Sequence, residues 1–148
     1  MTFDTVIEEL FQRFPAMRTE YRSKCQSLGK GADSPSIAFG HVLLPALQIA
    51  LERGDLATIL KICAYLEDAA ESAASDSLLQ ELIRVECGDW LTEAPNEHLL
   101  SPWLGAETKR ICGYVPGLAT QRRALKLQQM EKGWGGRVAA KLRIWIGR

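Results

Sequence analysis

The dipeptide Gly54-Asp55 separates two long segments in which apolar residues recur every three to four positions. That recurrence is typical of amphipathic helices, so each segment predicts one helix. Glycine favours the left-handed backbone that ends a helix, and aspartate accepts hydrogen bonds from the first amides of the next helix. Because one helix ends where the other begins, the chain must turn sharply at this point. The dipeptide therefore predicts a helix hairpin.

Helical spacing also dominates the rest of the chain, and we find no sustained alternation of the kind that predicts a strand. Ser34 with Pro35 indicates the start of the first hairpin helix, and Ser77 with Gln80 the start of the helix after the hairpin. Pro45 predicts a kink. The predicted helices cover residues 3–13, 16–28, 35–53, 56–72, 77–93 and 104–114, with 94–102 as a loop and Pro116-Gly117 ending the last helix. We predict an all-α fold, a compact bundle of about five to seven helices built on antiparallel hairpins.

Length and composition are those of one globular domain. The chain has 148 residues, of which 47% are hydrophobic and 24% charged, as in ordinary soluble proteins. We find no apolar run near the roughly 20 residues of a membrane span. The N-terminus lacks the basic start of a secretory signal. We expect a single domain over residues 1–148 in the cytoplasm.

The cysteines give no sign of a metal or redox site. They are widely spaced, with no CxxC motif and only two histidines in the chain, and they are Cys25, Cys63, Cys87 and Cys112. The zinc sites and redox motifs that can be recognised from sequence have more closely spaced ligands. We expect buried thiols, with no metal and no cofactor.

Charge is distributed unevenly along the chain. Residues 1–119 hold 10 Lys and Arg against 17 Asp and Glu, whereas residues 120–148 hold 8 against 1. This asymmetry indicates either a charged partner or an intramolecular contact between the two regions. The basic end predicts a short amphipathic helix, with one face formed by Val138, Leu142, Trp145 and Ile146. Such a helix could pack on the body of the protein, lie on a lipid surface or contact nucleic acid.

Two acids lie on the apolar faces of their predicted helices, Glu67 and Glu86. A buried carboxylate without a partner is costly, so each must be paired, hydrogen-bonded, protonated or close to water. One interpretation is structural, with Arg84, Lys61 or a backbone amide as the partner. A second is a paired-carboxylate active site or a metal site, and a third is a contact with another protein.

Several short motifs occur in order between about residues 36 and 115: Gly54-Asp55, then Tyr65-Leu66-Glu67, Asp76 at a helix start, Val85-Glu86, and Gly105 with Thr108. In this order and spacing the chain resembles small all-helical bacterial immunity proteins encoded beside polymorphic and contact-dependent toxins. Pro45 and the basic end depart from the family pattern. The resemblance implies a cytoplasmic, non-enzymatic protein that binds a cognate toxin domain and blocks its active site or its access to substrate.

An acidic surface is the candidate contact with such a toxin. It consists of Glu67, Asp68, Glu71, Asp76, Glu81, Asp89 and Glu93. Clustered acidic residues often form nothing more than a solvated helix face. With a basic partner, however, they would accelerate association. Two alternative functions remain open. One is a helical adaptor that uses the basic end on membrane or nucleic acid, and the other is a hydrolase that uses His41, Glu67 and Glu86.

Overall fold

A computed structural model describes residues 1–29 and 33–128, and every regular element in this part of the chain is helical. Seven helices are present there, which confirms the predicted all-α class and helix number. They are α1 (Val6–Arg13), α2 (Met17–Leu28), α3 (Pro35–Arg53), α4 (Leu56–Ser72), α5 (residues 77–93), α6 (Ala106–Cys112) and α7 (residues 118–128). Short 3-10 turns occupy Ala73–Ser75 and Glu97–Leu100. The amphipathic helix predicted at the C-terminus lies outside the described residues.

The predicted corner between α3 and α4 is confirmed. Gly54 has a φ of 65° and ends α3 in the left-handed conformation. Asp55 caps α4, because its carboxylate accepts hydrogen bonds from the Thr58 amide at 3.1 Å and the Thr58 hydroxyl at 2.7 Å. The two helices then pack against each other. Local capping chemistry therefore forms the hairpin.

Other predicted helix ends are wrong by a few residues. Helix α1 begins at Val6 rather than at residue 3. The cap of α5 is Asp76 rather than Ser77, since its carboxylate accepts hydrogen bonds from the amides of Leu78 and Leu79, both at 3.0 Å. Helix α6 ends at Gly113, whose φ is 58°, before the predicted stop at Pro116-Gly117.

Two helices contain a wide, π-helical turn. Phe39–Leu43 forms this turn in α3, and Ile83–Cys87 forms it in α5. The two turns contact each other. In α3 the turn lies just before Pro45, which has no amide hydrogen to donate to the preceding turn. The irregularity predicted from Pro45 thus coincides with a π-helical turn, a feature that is common at functional sites.

One hydrophobic core contains residues from helices α1 to α6, and α3 and α4 contribute the largest share. Tyr65 of α4 is fully buried, and its hydroxyl donates a hydrogen bond of 2.8 Å to the carbonyl oxygen of Val6 in α1. The predicted inward face of α4 is partly wrong, because Leu56 and Leu60 are 45% and 42% exposed. Helix α4 packs against α3 and α6 at once. That double contact moves its buried face toward Ile62, Tyr65 and Ala69.

Helix α3 is long and apolar enough to cross a membrane. The sequence patterns did not predict this property. Pro35–Arg53 has 19 residues and a mean hydropathy of 1.2, and 44% of the apolar window is buried inside the protein. It is the one helix of the described residues with these properties. Core helices of globular proteins have the same length and composition, and the inward face of α3 belongs to the common core.

Candidate binding site

Glu67 caps the N-terminus of α6. Its Oε1 accepts a hydrogen bond of 2.9 Å from the Glu107 amide, and its Oε2 accepts from the Thr108 amide at 2.9 Å and the Thr108 hydroxyl at 2.8 Å. The cap residue of this helix is Gly105, which has no side chain to do this. Glu67 therefore supplies from α4 the acceptor that a local cap residue usually provides.

The close fit of Glu67 over α6 depends on Gly105. A Cβ atom at Gly105 would lie 1.9 Å from Cδ of Glu67 and 2.0 Å from its Oε2. Burial acts to raise the pKa of Glu67, but the hydrogen bonds from Thr108 and Glu107 outweigh burial and lower it. Glu67, Gly105 and Thr108, three residues on which the family resemblance rests, thus form one structural unit. The structural interpretation of Glu67, with backbone amides as partners, is confirmed.

Asp76 is also occupied within the fold. Beside the two amides of α5, its carboxylate accepts a hydrogen bond of 2.8 Å from the Phe3 amide. The bond from Phe3, followed by that from Leu79, lowers the pKa of Asp76. This carboxylate fastens the N-terminal segment to the start of α5, so it is poorly placed to act as a free contact.

Two more acids of the predicted surface are paired with arginines. Asp68 contacts Arg13, with 2.5 Å between Oδ2 and Nη1, and Glu81 contacts Arg84 at 2.6 Å. Both pairs are about half exposed, so they contribute little to stability. Glu71 is exposed on the same helix as Asp68. The predicted surface is therefore partly neutralised by the protein's own cations.

The last two predicted acids, Asp89 and Glu93, line a cleft between α3 and α5, which we term the acidic cleft. It has a volume of about 420 Å³. Its lining residues are Gly40, Leu44, Gln48, Glu86, Asp89, Trp90, Glu93, Ala94 and Pro95. No lysine or arginine is among them. The structure thus joins the inward acid Glu86 to two acids of the predicted surface.

Glu86 is placed in the acidic cleft by the two π-helical turns. It belongs to the turn in α5, and Gly40 belongs to the turn in α3. A Cβ atom at Gly40 would lie 2.6 Å from Oε2 of Glu86. Glycine thus permits the carboxylate to approach the backbone of α3, as Gly105 does for Glu67. Glu86 is half-buried, as its position on the apolar face predicted.

The three carboxylates of the acidic cleft have no ion-pair partner within residues 1–29 and 33–128, where no cationic nitrogen lies within 4.0 Å of Glu86, Asp89 or Glu93. Arg84, held by Glu81, acts on Asp89 only from a greater distance. Trp90 adds an aromatic wall, and Oε1 of Gln48 is buried with no hydrogen-bond partner among the described residues. The cleft can therefore receive a cation that also donates hydrogen bonds.

A second cavity, of about 520 Å³, adjoins the cleft at Glu93 and carries the opposite charge. Its cationic lining residues are Arg122, Arg123 and Lys126 of α7. A guanidinium nitrogen of Arg123 donates a hydrogen bond to the carbonyl oxygen of Glu93, the last residue of α5. Arg123 thus caps the C-terminus of α5, where the helix dipole favours a cation.

The segment 94–102 contains a buried acid that the sequence patterns do not predict. Glu97 is completely buried in a 3-10 turn that had been predicted as loop. The Tyr114 hydroxyl lies 2.9 Å from both Oε2 and the carbonyl oxygen of Glu97, while Oε1 has no partner in the described part of the chain. Burial, and then the hydrogen bond with Glu97, raises the pKa of Tyr114. No nearby pattern in the sequence marks this glutamate as buried.

The residues considered for catalysis are not joined. His41 is exposed on the π-helical turn of α3, and both oxygens of Glu67 are engaged by α6. No hydrogen bond links His41, Glu67 and Glu86 among the described residues. Over the same residues, no group of three or more His, Cys, Asp or Glu could hold a metal ion. Cys63 and Cys87 are buried as expected, whereas Cys25 and Cys112 are half-buried.

Comparison of the chain with protein-family models, with curated proteins and with solved structures finds no match.

Proposed function

We propose that the protein is an immunity protein, which acts in the cytoplasm by binding a cognate bacterial toxin domain. Binding blocks the active site of the toxin or its access to substrate. The order and spacing of the motifs between residues 36 and 115 support this proposal. In this account the protein performs no chemistry and needs no cofactor, metal or small-molecule substrate.

The acidic cleft is the contact that we propose for the toxin. We choose this cleft because Glu86, Asp89 and Glu93 form no ion pair in the described part of the chain. Such carboxylates attract a basic surface over a long range and accelerate its association. An arginine from the partner could pair with a carboxylate while its planar group stacks on Trp90.

The other acids of the predicted surface are weaker choices for this contact. Glu67 and Asp76 already accept hydrogen bonds inside the fold. Asp68 and Glu81 would have to leave an arginine before they could pair with a partner. Glu71 is exposed and could contact the partner at the edge of the interface. Asp89 and Glu93 should consequently contribute most of the electrostatic attraction.

Co-expression tests the proposal. The protein is produced together with the product of the neighbouring gene, and growth is measured for the wild type and for two variants. The cleft variant is Asp89→Lys with Glu93→Lys. The matched control, Asp4→Lys with Glu20→Lys, makes the same change of charge at exposed acids outside the cleft.

We expect the wild type and the control variant to rescue growth and the cleft variant to fail, although it accumulates as folded protein. Absence of toxicity from the neighbouring product, or of rescue by the wild type, would reject the immunity function. Full rescue by the cleft variant would reject the acidic cleft as the contact. The two parts of the proposal are therefore tested separately.

A helical adaptor that binds nucleic acid or membrane is the second candidate function. It is favoured by the cavity that Arg122, Arg123 and Lys126 line, because clustered cations attract phosphate groups. Sedimentation with anionic liposomes and retention on immobilised DNA and RNA test it. Binding that is lost in an Arg122→Glu, Lys126→Glu variant would support this candidate over the toxin binder.

A further inference from the structure

We propose that the basic C-terminal segment, residues 129–148, binds within its own chain to the acidic cleft. The docking concerns the protein alone and does not require the proposed toxin. If the toxin does use the cleft, the segment competes with it, and only that competition rests on the proposed function. An intramolecular contact of this kind would account for the uneven distribution of charge along the chain.

The path of the chain favours this occupant. Helix α7 lies beside the end of α5, where Arg123 binds the carbonyl oxygen of Glu93. Lys126, one turn further along α7, lines the basic cavity together with Glu93. Glu93 also lines the acidic cleft. The described part of the chain ends at residue 128. This is two residues after Lys126, whose side chain lines the basic cavity together with Glu93.

The length of the segment is sufficient to reach every acid of the cleft. Glu86 and Glu93 are separated by seven residues of helix, which corresponds to about 10 Å. Lys132 follows Lys126 by six residues, and six residues can span up to about 20 Å. The segment thus need not be long or strained to bring its first cation to the cleft.

Charge complementarity supports the same occupant. The segment carries a single acid, Glu131, and its cations are Lys132, Arg137, Lys141, Arg143 and Arg148. Among the described residues that line it, the cleft offers three carboxylates and no cation. It also offers the buried Oε1 of Gln48, to which no group in the described part of the chain donates a hydrogen bond. Because the segment is tethered beside the cleft, its effective concentration there exceeds that of a separate molecule.

Zero-length crosslinking of the full-length protein tests the docking. A carbodiimide joins a carboxylate to a lysine amine that touches it, with loss of water, and mass spectrometry identifies the joined peptides. The informative products link Lys132 or Lys141 to Glu86, Asp89 or Glu93. Mixing ¹⁴N- and ¹⁵N-labelled protein distinguishes links within one chain from links between chains.

The Arg137→Glu, Arg143→Glu variant provides the matched comparison, since it keeps both lysines while it reverses two charges of the segment. We expect links within one chain to the cleft acids, with a yield on the order of fivefold lower in this variant and at high salt. Any link between Lys126 and Glu93, which line the same cavity, should not change in this variant, because neither residue belongs to the segment.

Three results would overturn the docking. Links from Lys132 and Lys141 to Asp4, Glu20 and Glu71 as often as to the cleft would show that the segment has no preferred site. Links only between chains would identify a second copy as the occupant. A yield that is unchanged in the Arg137→Glu, Arg143→Glu variant would show that charge does not hold the segment. None of these results would affect the growth test of the toxin proposal.

Discussion

Replacement of Gly105 by alanine should destabilise the protein through Glu67, which lies 38 residues away in the sequence. The φ of Gly105 is −68°, a value that alanine adopts without strain. The new Cβ atom would overlap Cδ and Oε2 of Glu67 at about 2 Å, so the flexible carboxylate must move away. The cost is then the loss of the α6 cap rather than a clash in the backbone.

The magnitude follows from the three hydrogen bonds that Glu67 accepts. Bonds to a charged group are worth about 1.5–3 kcal/mol each when they are well buried. Glu67 is half-buried and recovers part of this from water, so we expect a loss of about 2 kcal/mol, at the upper end of the range for helix caps. For a chain of this size that loss lowers Tm by about 4–8 °C.

A double-mutant cycle isolates the coupling. Glu67→Ala should cost about as much as Gly105→Ala, and the double variant little more than either one, which gives a coupling near 1.5 kcal/mol. Gly113→Ala is the matched control at the C-terminal end of α6. Gly113 has a φ of 58°, and no atom of the described residues lies within 4 Å of an added Cβ, so its cost should not depend on residue 67. Additive losses for Gly105→Ala and Glu67→Ala, measured by urea unfolding, would refute the cap.

Replacement of Tyr114 by phenylalanine removes the hydroxyl beside the buried Glu97 carboxylate, and the free energy of unfolding should fall by about 1–3 kcal/mol; an unchanged urea midpoint would contradict this. The pKa of Glu67 is lower in the folded protein than in the unfolded chain, so the ionised carboxylate stabilises the fold at a pH above the unfolded pKa. This stabilisation is lost as the pH falls through the folded pKa. Glu67→Gln should therefore lose less stability than the wild type between about pH 5 and pH 2, and parallel curves would argue against it. Burial raises the pKa of Cys63 to about 11 and that of Cys112 to about 12, so iodoacetamide at neutral pH should label them only after unfolding. Chelator should leave Tm unchanged, and a fall of several degrees would reveal a metal.

Helical spacing made the fold class predictable, and capping residues made several helix ends predictable. Ser34, Gly54 and Asp55 act on amides and carbonyl groups within a few residues of themselves, so their effect can be inferred from the local sequence. The exposure of Leu56 and Leu60 could not be inferred in this way. Their environment depends on which neighbours α4 packs against, and helical periodicity alone does not contain that information.

Only part of the candidate site could be predicted, because its contacts depend on how distant segments pack against each other. The inward position of Glu67 and Glu86 follows from helical spacing, but their partners do not. The amides that Glu67 binds are 40 and 41 residues away. Glu86 meets Gly40 only because two π-helical turns face each other. The buried position of Glu97 depends on long-range packing around Tyr114, for which the surrounding polar segment gives no signal.

The rate at which the proposed toxin partner associates with this protein tests the role of the acidic cleft most directly. Stopped-flow fluorescence at low and high salt would compare the wild type, the Asp89→Lys, Glu93→Lys variant and the Asp4→Lys, Glu20→Lys control. We expect the rate constant for the cleft variant to fall by at least about tenfold at low salt, that of the control to change much less, and the difference to shrink as salt is added. Equal rate constants for the two variants would show that the carboxylates of the acidic cleft do not attract the toxin.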